Sequence, residues 1–163
     1  MLGIDPGTAT TGYGIVEASG QELRALVSGV IRTSPDQTLS ARLQGIHGQI
    51  RQLAEEWQPD EAAVEELFFS RNVRTAMNVG QARGVAILAL ADAGLSIAEY
   101  TPLSIKQAVT GYGSADKTQM QEMVKLLLGL SEIPRPDDAA DALAVAICHL
   151  HSARLKKLSE LAR

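Results

Sequence analysis

Cysteine is nearly absent from this chain. Cys148 stands alone, so no disulfide can close within it, and a reducing, cytoplasmic setting is the expectation. Long hydrophobic runs are missing too. No apolar stretch approaches the ~20 residues needed to span a bilayer, and no charged segment precedes the first apolar one, so neither a membrane span nor a secretory leader is expected. Aromatics make up 4% of the residues, and the only phenylalanines, Phe68 and Phe69, are adjacent. An excess of positive charge, the usual footprint of a nucleic-acid binder, is also lacking, because the net charge is −4. Its distribution tempers that objection. Residues 67–91 carry Arg71, Arg74 and Arg83 and no acid, and residues 152–163 carry Arg154, Lys156, Lys157 and Arg163 against Glu160 alone. Acids gathered around two divalent cations would also have their charge offset, so net charge excludes no nucleic-acid partner.

What is present is ordinary for a globular protein: 163 residues, 45% hydrophobic and 21% charged. Without a repeat, low-complexity stretch or linker, the chain reads as a single domain over 1–163, with 152–163 as a basic C-terminal tail. Residues 1–5 form a short strand ended by the turn pair Pro6-Gly7. Two more strands follow at 12–17 and 22–33, with Ser19-Gly20 as the hairpin signal. Then the period changes. Leu43, Ile46, Ile50, Leu53 and Trp57 recur at helical spacing, predicting an amphipathic helix over 40–57 that Pro59-Asp60 breaks.

Residues 61–65 read as a strand, 73–93 as an Ala- and Gly-rich helix stopped by Gly94, and 95–100 as a fifth strand. Thr101-Pro102 opens a short helix that Gly111 ends. Ser114 is the expected cap of a helix running to Leu128, with Gly129 as its stop, and Asp137 the expected cap of a last helix. The order β-β-β-α-β-α-β-α-α-α predicts an α/β fold: a mixed five-stranded sheet with helices on both faces.

Four carboxylates distant in sequence carry the chemistry. Asp5 ends the first strand and Glu65 the fourth; if these are parallel neighbours, their backbones lie ~4.8 Å apart. Alternation puts Gly3 and Asp5 on one face with Ala63 and Glu65, and the small neighbours there leave room for something to sit on that face. Asp138 and Asp141 are one helical step apart and point the same way. Their neighbours Ala139, Ala140, Ala142, Leu143 and Ala144 are apolar, and 137–148 hold no Lys or Arg, so two buried acids there call for a cation. An all-oxygen donor set suits Mg²⁺, with Mn²⁺ as a substitute, rather than zinc. Each acid alone has a plainer reading: Asp5-Pro6-Gly7 as a turn, Glu65-Glu66 as a solvated strand end, Asp138 as a charge complementing the helix dipole. Together, at one sheet edge, they point to a site.

The motifs form a set. Gly3-Ile4-Asp5-Pro6-Gly7 with Gly12-Tyr13-Gly14, Val64-Glu65-Glu66-Leu67-Phe68-Phe69, Gly80-Gln81-Ala82-Arg83-Gly84, Ile105-Lys106-Gln107, Gly111-Tyr112-Gly113-Ser114-Ala115-Asp116-Lys117 and Asp138-Ala139-Ala140-Asp141-Ala142-Leu143 occur in order up to about residue 150. As a set they resemble the RuvC family of Holliday-junction resolvases. The resemblance implies an RNase H-like fold and a Mg²⁺-dependent, structure-selective endonuclease acting on four-way DNA junctions. It implies a homodimer, association with the RuvA–RuvB branch-migration machinery, and a bacterial, nucleoid-associated setting. It makes Asp5, Glu65, Asp138 and Asp141 the catalytic acids, and Lys106 and Lys117 basic residues near the cleaved phosphate. Some members carry His at the position of Asp138, and members have a few more residues ahead of Gly3, so two readings stay open: a shortened first strand, or a start that lies upstream of Met1.

On that basis the expected mechanism uses two Mg²⁺ ions about 3.5–4 Å apart astride the scissile phosphate. Asp5 would be shared, with Glu65 on one side and Asp138 and Asp141 on the other. Phe68 and Phe69 have two readings: both packed beneath a loop, or one used as a wedge or stacking platform for an unpaired base with Arg71 and Arg74 on nearby phosphates. The resemblance favours Phe68 as the wedge. Small residues at Ala76, Gly80, Gly84 and Ala91 permit close helix approach, and His47, His149 and His151 are expected off the site. Three rivals stay open: a fragment of an actin-like ATPase, since Asp5-Pro6-Gly7-Thr8 also resembles a phosphate loop; a non-catalytic junction-binding module; and an RNase H-like nuclease for RNA–DNA hybrids or rRNA.

Overall fold

Three antiparallel strands and two parallel ones build one sheet in the computed structural model, which describes residues 1–66 and 73–161. In chain order the elements are β1 (Leu2–Asp5), β2 (Thr10–Ser19), β3 (Glu22–Arg32), α1 (Leu39–Trp57), β4 (Glu61–Glu65), α2 (Val73–Asp92), β5 (Ser96–Tyr100), α3 (Pro102–Thr110), α4 (Lys117–Leu127) and α5 (Asp137–Leu161). The strands lie in the order β3-β2-β1-β4-β5. β1 is antiparallel to β2 and parallel to β4, and β4 is parallel to β5. The expected element order and mixed sheet are both present, with β2 reaching further at each end than 12–17.

Alternation along the central strands sets up two cores. Leu2, Ile4, Ala62 and Val64 point to one face, where Ile46 and Ile50 of α1 and Ala82, Ala86 and Leu90 of α2 bury them. Ala63 points to the other, against Leu143, Ala144 and Ile147 of α5 and Ile105 and Val109 of α3. Trp57, read as part of the α1 stripe, is 37% exposed at the helix end.

The room expected above Gly3 is filled by α5 itself. A Cβ on Gly3 would collide with the backbone carbonyl of Ala142, one on Gly12 with that of Asp138, and one on Gly14 with the Leu143 side chain. These glycines let α5 lie directly on β1 and β2, which decides where its acids come to rest.

Two helix starts differ from the sequence expectation. Asp116, not Ser114, caps α4: its Oδ1 accepts from Gln119 N at 2.9 Å, and Gln119 Oε1 accepts from Asp116 N at 2.9 Å. A reciprocal capping box satisfies two backbone donors, which a serine farther back cannot match. Asp137 lies inside the first turn of α5, and its carboxylate is taken by side chains of other segments rather than by the helix N-terminus. Thr101-Pro102 and Gly111 bound α3 as read, with Gly111 at φ 85°. The segment read as a basic tail continues α5 as helix to Leu161.

Candidate active site

Asp5 and Glu65 close two adjacent parallel strands whose preceding residues, Ile4 and Val64, are register partners. Asp5 is also paired with Gly12 of β2, the glycine beneath the Asp138 carbonyl. The contact of α5 with β2 therefore delivers Asp138 and Asp141 to the strand end that carries Asp5. The four carboxylates picked out in the sequence meet at one edge of the sheet.

Their electrostatics follow from that crowding. Burial, then repulsion from Asp141, pushes the Asp5 carboxyl up to about 6, with hydrogen bonding to Glu65 pulling the other way. Burial, then the Asp5 charge, pushes Glu65 up to about 8. Burial also raises Asp141, against the pull of Lys117. Asp5 is the hub, since Glu65, Asp138 and Asp141 all act on it, whereas Glu65 is acted on by Asp5 and Asp141. Two half-buried carboxyls held above their ordinary range form a site that favours a proton or a cation.

The lysines stand on one flank. Glu65, Asp141, Lys106 and Lys117 line a cleft of about 200 Å³ with Ile105 and Met120. Lys117 Nζ lies 3.0 Å from Asp137 Oδ2 and 4.0 Å from Asp141 Oδ2. Asp137 was read only as a cap. Its carboxylate accepts from Lys117, from Gln121 Nε2 at 3.0 Å and from Arg135 at 2.6 Å, so its proton affinity is lowered, chiefly through the Lys117 hydrogen bond. A local signal existed in the doubled Asp137-Asp138, but its partners come from other segments.

Other sequence readings fare differently. Arg83, counted among basic residues without acids, pairs with Glu99 and donates to the Glu65 carbonyl at 3.3 Å, so it braces β4 against β5. The stretch 137–148 lacks its own cations, but Lys117 and Arg135 reach it from outside. His47 bonds Asp92 at 2.9 Å, His149 bonds Glu61 at 2.7 Å and Tyr100 at 3.0 Å, and His151 bonds the Ala108 carbonyl at 3.0 Å. Phe68, Phe69 and Arg71 lie outside the described residues, as does the side chain of Arg74.

The donor set fits a hard divalent cation: four carboxylates, oxygen only, two of them half-buried and protonated more readily than in water. Among the described residues no three such groups already stand at metal-binding separation.

Comparison with known proteins matches residues 1–149 to the family described as crossover junction endodeoxyribonuclease RuvC. The RuvC of Chloroflexus aggregans is 59% identical over 93% of both chains, and that of Syntrophomonas wolfei 52% identical over 98% of this chain and 93% of its own. The chain belongs to the RuvC family. A Thermus thermophilus RuvC in complex with Holliday junction substrate superposes with a TM-score of 0.90 at 38% identity, covering 95% of this chain and 94% of that one. A yeast mitochondrial Holliday junction resolvase shares the fold, with a TM-score of 0.71 at 15% identity. The mixed sheet is thus the RNase H-like architecture of RuvC, and the chain is an endodeoxyribonuclease of a metal-dependent family.

Proposed function

We propose that this chain resolves four-way DNA junctions by paired, symmetric nicks, with Asp5, Glu65, Asp138 and Asp141 holding two Mg²⁺ ions. The observation that carries the reading is the convergence of four acids at one sheet edge, with Asp5 at their centre. When bound, the metal supplies a more acidic water and charge neutralisation at the phosphate and the leaving 3′ oxygen. The chain's own residues do the rest. Burial of Asp5 and Glu65 makes a site that stays protonated, or paired with cations, instead of carrying bare charge. Lys117, steered by Asp137, and Lys106 across the cleft offset charge growing on the phosphoryl group.

Paired nicks need two sites, and a homodimer supplies them. Met77 and Leu88 are 62% and 54% exposed on α2, and the space above Gly84, between them on that face, is open. That face suits a second copy. The single-domain arrangement, a wedge role for Phe68 with Phe69, Arg71 and Arg74 near the strand, Mn²⁺ as substitute metal, contact with a RuvA–RuvB motor and a cytoplasmic, nucleoid-associated setting complete the reading. Among the described residues no helix is long and apolar enough to cross a membrane.

The test is Asp141→Asn assayed for binding and cutting of one synthetic junction. Retained binding with cutting reduced by ~10³-fold or more supports the assignment. Cutting at the wild-type rate removes Asp141, and the metal scheme with it.

A further inference from the structure

A second cleft, about 380 Å³ in volume, lies on the opposite flank from the lysines. Gly7, Thr8, Ala9, Arg42, Asn78 and Asp138 are among the residues that line it. Its floor is a relay of hydrogen bonds. Arg42 Nε donates to Thr33 Oγ1 at 2.7 Å, Thr33 Oγ1 donates to the Thr8 carbonyl at 2.6 Å, and Thr8 Oγ1 donates to the Asn78 carbonyl at 2.5 Å. The relay ties α1, the end of β3, the turn after Asp5 and α2 together. Thr8 is 7% exposed, so this is a built feature rather than a loose loop.

Arg42 itself is half-buried and, among the described residues, has no carboxylate within ion-pair distance. A guanidinium stays charged under all ordinary conditions and carries five N–H donors. The relay uses Nε, which leaves the two terminal amino groups. They have no protein partner among the described residues. A half-buried, undischarged, oriented fork suits a phosphate, whose oxygens match it in pairs. The facing acid, Asp138, is a proposed metal ligand, so its charge is offset when the site is loaded.

We propose that this cleft seats a backbone phosphate of the DNA strand, flanking the one that is cut, with Arg42 as its ligand. The inference rests on the reading of the chain as a junction nuclease. Together the two clefts would hold the strand on both flanks of the acids, with Lys106 and Lys117 on one and Arg42 on the other.

The test is equilibrium binding of a labelled four-way junction across a salt series, with Ca²⁺ in place of Mg²⁺ so that the acids are charge-compensated while the strand is not cut. Arg42→Gln should weaken binding roughly 3–10-fold and lower the slope of log K against log salt by about one, the signature of one lost phosphate contact. Arg42→Lys should keep the slope. Thr33→Val, which removes the brace but leaves the charge, should keep it too. Ala9→Glu, at an exposed position on the cleft rim, needs no repacking and should weaken binding, whereas Ala9→Lys should strengthen it. If Arg42→Gln keeps the wild-type slope, or both Ala9 variants bind like wild type, the subsite is refuted while the nuclease reading stands. A wild-type protein with no salt-dependent junction binding would defeat the nuclease reading itself.

Discussion

Removing the central carboxylate should make the metal-free protein more stable, not less. Asp5 and Glu65 both hold protons more tightly when folded, at about 6 and about 8, than the ~4 expected when unfolded. Groups raised in this way contribute their full stability below the unfolded value and lose it as pH climbs through the folded one. Without metal, stability from this pair should therefore decline between about pH 4 and about pH 8. A tenfold change in proton affinity is ~1.4 kcal/mol, so the displacement of Glu65 alone corresponds to ~5 kcal/mol. Counting the mutual repulsion once, and allowing for water at the mouth of the site, leaves ~2–3 kcal/mol. For a chain of this size that is ~5–10 °C in Tm.

Asp5→Asn removes the Asp5 repulsion and leaves burial and the weaker Asp141 charge acting on Glu65. Thermal melts in EDTA at about pH 5 and about pH 8 should show the variant losing half as much Tm as wild type, or less. Mg²⁺ at the higher pH should raise the wild-type Tm and leave the variant nearly unmoved. Parallel pH profiles for the two proteins, with no response of wild type to Mg²⁺, would refute the reasoning.

Gly12→Val places a Cβ against the Asp138 carbonyl, which is backbone and cannot swing aside. It should lift the start of α5 and cost ~10²-fold in single-turnover cleavage while circular dichroism stays native-like. Asp137→Asn releases Lys117 from its 3.0 Å partner. Cleavage should fall ~10-fold with junction affinity nearly unchanged, and the effect should vanish in a Lys117→Met background, as expected of two residues acting through one contact. Leu143→Ala empties a fully buried site where α5 meets the sheet. It should cost ~2–5 kcal/mol by denaturant titration, read as a shifted midpoint with an unchanged slope.

What could be read from sequence was whatever depends on near neighbours along the chain. Strand alternation at 1–5 and 61–65, the Pro6-Gly7 turn, and Asp138 and Asp141 one turn apart were enough to bring the acids to one edge. Thr101-Pro102 and Gly111 marked a helix because capping chemistry is local. The reading went astray where a residue's partner lies elsewhere. Ser114 had the chemistry of a cap, but Asp116 with Gln119 satisfies two donors at once. Gly3 read as open space, and what it, Gly12 and Gly14 admit is a helix more than a hundred residues downstream. Arg83 looked available until β5 brought Glu99 to it, and Asp137 looked like a cap until α4 brought Lys117. Arg42 gave no local signal at all, because its surroundings come from four separate elements. The aromatic pair Phe68 and Phe69 lies outside the described residues.

The most direct test of the account is to offer the protein a mobile four-way junction beside a linear duplex and an RNA–DNA hybrid of matched sequence, with Mg²⁺ or with EDTA. Paired, symmetric nicks in the junction alone, and only with Mg²⁺, are the expected result. Cutting of the hybrid in preference to the junction, or cutting of the junction that persists in EDTA, would contradict it.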